Sequence, residues 1–99
     1  MDKLTFTVAT GAVETSLFIQ DAIPPHEGVF VDLERKEDKW SGEKELDPGV
    51  YAYILHIRGG APKSVWSLSI KRGDNKPLVR TGKLDDKGDG GRVAQITLA

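Results

Sequence analysis

Asp85, Asp86 and Asp89 fall within one glycine-rich stretch, LDDKGDGG at residues 84–91. Several carboxylates on flexible backbone supply the hard oxygen ligands that calcium takes, so this stretch is the candidate metal site and calcium the candidate cofactor. Its spacing is not that of a full EF-hand loop, and no glutamate closes it. Asp and Gly are also the commonest turn residues, which makes a solvated loop the competing expectation. The two histidines, His26 and His56, lie far apart in the chain, and with no cysteine present a zinc site would have to recruit carboxylates. His56 is expected as a half-buried strand residue.

Other chemistry finds less support. The stretch GGAPKS at residues 59–64 superficially resembles a phosphate cradle. A Walker-type loop needs glycine directly before its Lys and a helix directly after, since loop and helix amides hold the phosphate. Here Pro62 removes a donor, Lys63 follows that proline, and VWSLSI continues as a β pattern. The serines lack a nucleophile-elbow context, and no catalytic triad follows from the spacing. The expectation is therefore no enzyme. Trp40 and Trp66 are the rings that a sugar could stack on; Trp66 shares a face with Leu68 and Ile70 and is expected in the core, while Trp40 sits among charged residues. Trp40, Arg58, Lys63 and Arg72 are the candidate ligand-binding residues, the last three belonging to a basic group with Lys71, Lys76, Arg80 and Lys83.

The elements that must position these residues are β-strands. A chain of 99 residues is one domain by size, and without cysteine it must hold together by packing and backbone hydrogen bonds. Its net charge is −1, which argues against non-specific nucleic-acid binding. The first 49 residues carry five bases against eleven acids, and the remaining fifty carry nine bases against four acids. Strands interleaved between two sheets would pair this asymmetry across the molecule. No uninterrupted apolar run of signal-peptide or membrane-span length opens the chain, so a cytoplasmic location without membrane insertion is expected.

Strict alternation marks residues 3–9, with Leu4, Phe6 and Val8 on one face. Further strands are expected over residues 13–19, 29–35, 50–58, 64–71, 78–80 and 92–98, with residues 40–46 returning as a hairpin partner of 29–35. Residues 50–58 are apolar on both faces, which predicts a central strand. Short strands separated by turn signals every 8–12 residues or so indicate an antiparallel sandwich or barrel. The stretch LDPGVYAY at residues 46–53 resembles the tyrosine corner of immunoglobulin-type sandwiches, with Tyr51 opening a central strand and its hydroxyl bonding the preceding connection. The expected fold is all-β: an antiparallel sandwich, immunoglobulin-like or jelly-roll-like, of seven to eight strands. A core of Phe6, Leu17, Tyr51, Tyr53, Leu55, Trp66, Leu68 and Ile96 follows from it.

A small sandwich offers end loops and edge strands, so the expected function is a non-catalytic binding or assembly module acting on a protein partner or on a second copy. The alternative is a carbohydrate-binding, lectin-like module using Trp40 and, with calcium, the Asp85–Asp89 loop.

Overall fold

The computed structural model describes residues 2–25 and 27–98, with only the backbone of Asp2. Among the described residues nine strands follow one another without a helix: β1 (Asp2–Ala9), β2 (Glu14–Asp21), β3 (Gly28–Val31), β4 (Glu34–Lys36), β5 (Lys39–Leu46), β6 (Gly49–Arg58), β7 (Val65–Arg72), β8 (Leu78–Lys83) and β9 (Gly90–Leu98). They form two packed antiparallel sheets. Sheet A has five strands in the order β4-β5-β1-β7-β8, and sheet B has four in the order β3-β2-β6-β9.

One difference from the sequence reading has a physical cause. The count is nine instead of seven or eight, because residues 29–35 are not one strand: β3 ends at Val31 in sheet B and β4 begins at Glu34 in sheet A. The chain crosses between sheets at Asp32 and Leu33, hard against β5, where a Cβ on Gly42 would collide with the Asp32 carbonyl oxygen. Glycine at 42 is what lets the crossing pass. Alternation within 29–35 persists across the break, so it does not reveal the change of sheet.

Every alternate residue of the long strands turns inward. Phe6, Val8, Leu17, Tyr53, Leu55, Ile57, Trp66 and Leu68 are buried between the sheets, and the whole expected core is found there. Tyr51 forms the expected corner: its hydroxyl donates to the Asp47 carbonyl at 2.6 Å, tying the crossover from β5 in sheet A to β6 in sheet B. Burial and the nearby Asp21 and Asp47 carboxylates push its phenol pKa up.

Charge pairs across the two halves of the chain at Glu14 and Arg58, 3.8 Å apart. The first five strands occupy one flank of both sheets, β4-β5-β1 in one and β3-β2 in the other, and the last four occupy the opposite flank. Strands β6 to β9 contain Arg58, Lys71, Arg72, Arg80, Lys83 and Arg92 and no carboxylate. The fold therefore gathers bases on the β8–β9 side, while strands β1 to β5 mix acids with bases.

Candidate functional site

The four candidates Trp40, Arg58, Lys63 and Arg72 do not form one cluster, though Lys63 meets Asp86 of the candidate metal loop. Arg58 and Lys63 lie at the end where β6 turns into β7, whereas Arg72 closes β7 at the other end. Arg58 reaches Glu14 at 3.8 Å and Lys63 reaches Asp86 at 3.5 Å, both pairs well exposed. Trp40 is partly buried against the core; its indole N–H donates to the Ala12 carbonyl at 3.3 Å, and the Arg35 guanidinium lies 5.9 Å from the ring centroid. One face of Trp40 thus meets the core and Arg35 lies over the ring. His56 is exposed on the outer side of β6 instead of half-buried, and His26 lies outside the described residues.

The Asp85–Asp89 loop is held by its own chain. Asp85 Oδ1 accepts from the amides of Lys87 at 2.8 Å and Asp89 at 2.9 Å, and those bonds hold the Asp85 carboxyl below the usual carboxylate range. Asp89 Oδ1 accepts from the Gly59 amide at 3.3 Å, while the Gly88 carbonyl accepts from the Gly60 amide at 2.9 Å. The loop is thereby buckled onto the β6–β7 turn, with Leu84 buried beneath it. Among the described residues no group of three His, Asp or Glu side chains is placed to hold a metal ion.

A different surface carries unspent groups. On the outer face of sheet B the strand registers align Phe30 with Phe18, Phe18 with Ile54, and Ile54 with Val93. This row crosses all four strands. Phe30 is 63% exposed, Ile54 38% and Val93 72%, while Phe18 is half-covered by the Phe30 ring, edge-on at a centroid separation of 4.9 Å. Flanking rows add Gly28, Gln20, Ala52 and Gln95 on one side and Ser16, His56 and Gly91 on the other. Among the described residues of these rows charge appears only at the margin, where Glu14 pairs with Arg58. The outer face of sheet A is more polar: Lys3, Thr5, Thr7, Ser41, Glu43, Ser67, Ser69 and Lys71 stand there, Lys3 bridges Glu43 at 2.9 Å, and the exposed large apolar side chains of this face, Val65 and Val79, lie on β7 and β8.

Beside this face lies the open edge of β9, which among the described residues pairs with β6 on one side and with no strand on the other. The Ala22 amide bonds the Val50 carbonyl, so Val50, Ala52 and Ile54 direct their peptide groups toward β2 and the residues between them toward β9. By the same alternation, Gly91, Val93, Gln95 and Thr97 direct theirs outward. The other edges are shorter: three residues in β4, four in β3 and six in β8. Depressions on the surface are small. One of about 210 Å³ is lined by Ile19, Leu46 and Tyr51 among others, and one of about 300 Å³ by Thr5, Asp32, Glu34, Ser41, Gly42 and Glu43. Small-molecule pockets start near the upper of these volumes.

The signal for the face was present in β6, whose two apolar sides predict a central strand. Central it is, between β2 and β9, but its outer side stands in solvent. No family model, no curated protein and no solved structure matches this chain.

Proposed function

We propose that this protein is a non-catalytic binding module whose partner is another protein and whose contact surface is the outer face of sheet B. The observation that carries this reading is the row Phe30–Phe18–Ile54–Val93 on a face that bears charge only at its margin. Depletion of charge at the centre with aromatic enrichment distinguishes interface cores from ordinary protein surface. Covering the exposed parts of Phe30, Ile54 and Val93 contributes about 1 kcal/mol each. The surrounding Ser16, Gln20 and Gln95 supply neutral hydrogen-bonding groups for a rim.

The test combines capture with footprinting. Immobilised wild-type protein is compared with Phe30→Ser/Ile54→Ser, whose fold is checked by circular dichroism. A protein retained by the wild type, lost with the variant, and protecting β2, β6 and β9 from hydroxyl-radical labelling is the expected result. Equal retention by both proteins, or protection confined to sheet A, refutes the reading.

A further inference from the structure

We propose that the open edge of β9 receives an extended segment of another protein whose residues alternate acidic with apolar, added as a fifth strand to sheet B. This inference rests on the protein-binding reading and names the chemistry of the partner. Gly91, Val93, Gln95 and Thr97 present unpaired peptide groups along one line, which is the backbone template that strand addition uses.

The side chains beside that line specify what can sit there. Arg92 points inward from β9, opposite Leu55, and its Nε donates to the Tyr53 hydroxyl at 3.1 Å, yet the residue is exposed because β9 is the last strand of its sheet. Arg80 points inward from β8, as Gly82 two residues on does: a Cβ there would strike the buried Trp66 ring. Among the described residues neither arginine pairs with a carboxylate, and β8 and β9 meet along this flank. An inward-pointing charge is a device that keeps indiscriminate strands off an edge. Here it is a filter with a sign. A strand laid beside β9 places alternate side chains in the margin with Arg92 and Arg80, where acids are favoured, and the others on the outer face beside Val93, where apolar residues extend the exposed row.

A second copy fits this edge less well. Antiparallel pairing of β9 with β9 over its full length sets Arg92 opposite Ile96 and brings no acid to it, and the inward residues of the opposite edge, Val29 and Val31 of β3, offer none either. The occupant is therefore a different protein.

The probe is a capped peptide of about nine residues alternating Glu with Val, titrated into isotope-labelled protein beside its Lys-for-Glu counterpart. The expected result is a set of amide shifts centred on Gly91, Val93, Gln95 and Thr97, with the acidic peptide bound about tenfold more tightly than the basic one. Arg80→Glu with Arg92→Glu should reverse that preference. Gln95→Pro, which removes an outward amide and leaves the bonds to β6, should abolish binding of either peptide. Equal binding of the two peptides, no binding at all, shifts outside β9, binding that survives Gln95→Pro, or occupation of β9 by a second copy in sedimentation velocity would each overturn the proposal. Should capture in those cases still depend on Phe30 and Ile54, the protein-binding reading stands and only the edge assignment falls.

Discussion

The Asp85–Asp89 loop and the outer face of sheet B contrast in what their groups have left to offer. In the loop, the carboxylates of Asp85 and Asp89 accept backbone amides, Asp86 faces Lys63, and the Gly88 carbonyl takes the Gly60 amide. On the face, large apolar side chains stand in water and the peptide groups of one margin have no partner strand. Residue types that suggest a ligand site are consumed in holding two connections together, whereas residue types that suggest a core are left uncovered. Function is better sought where interactions are unfinished than where reactive side chains are dense.

The largest effect that can break this contrast is at Gly88. It adopts φ of +81°, and a Cβ on it would run into the Gly60 carbonyl. Gly88→Ala must therefore twist the residue out of the left-handed region and push the loop off the β6–β7 turn together. Chemical denaturation should show a loss of about 2–4 kcal/mol. A loss below about 0.5 kcal/mol would mean that the loop is not a structural buckle, and its carboxylates would again be open to a ligand.

Much of this buckle escapes a reading of the sequence. Alternation in β1, β6 and β7 identifies the sandwich and its core because a strand with one buried face must repeat every two residues, and the spacing from Asp47 to Tyr51 suffices to place the corner hydrogen bond. The pairing of Asp89 with Gly59 spans thirty residues. Nothing local encodes it. The same limit hid the sheet change at Asp32, where alternation continues undisturbed, and the gathering of bases on the β8–β9 side, which depends on strand order. Of the residues singled out for binding, Trp40 is met by Arg35, which is not among them, through the tight β4–β5 hairpin, a local feature. The Phe30–Val93 row is assembled by four strands from across the chain, so no sequence window contains it.

A medium effect is expected in acid. Asp85 is held below the usual carboxylate range because its anion accepts the amides of Asp89 and Lys87. A carboxyl whose folded pKa is depressed adds stability that is in place above its unfolded value, about pH 4, and is lost as the pH falls through the folded value below that. Asp85→Asn should lower the melting temperature at neutral pH, with the gap from the wild type closing as the pH drops below about 4. A gap that stays constant down to strong acid would show that the charge of Asp85 contributes nothing to the buckle.

The smallest effect is on the face, and its smallness carries the argument. Val93 and Leu55 sit one strand apart in sheet B, but Leu55 is 2% exposed and Val93 is 72% exposed. Val93→Thr keeps the β-branched shape that suits a strand and replaces one methyl by a hydroxyl that water can solvate. Because the methyl has little cover in the folded protein, removing it should leave stability within about 0.5 kcal/mol of the wild type. Retention of a protein partner should nevertheless fall, since that methyl would be desolvated only in the complex. A stability loss above 1 kcal/mol, as expected of a buried side chain, would place Val93 in the packing of the fold itself. The separation of the two measurements is the point. A side chain that costs nothing to alter in the isolated molecule and something to alter in an assembly is there for the assembly.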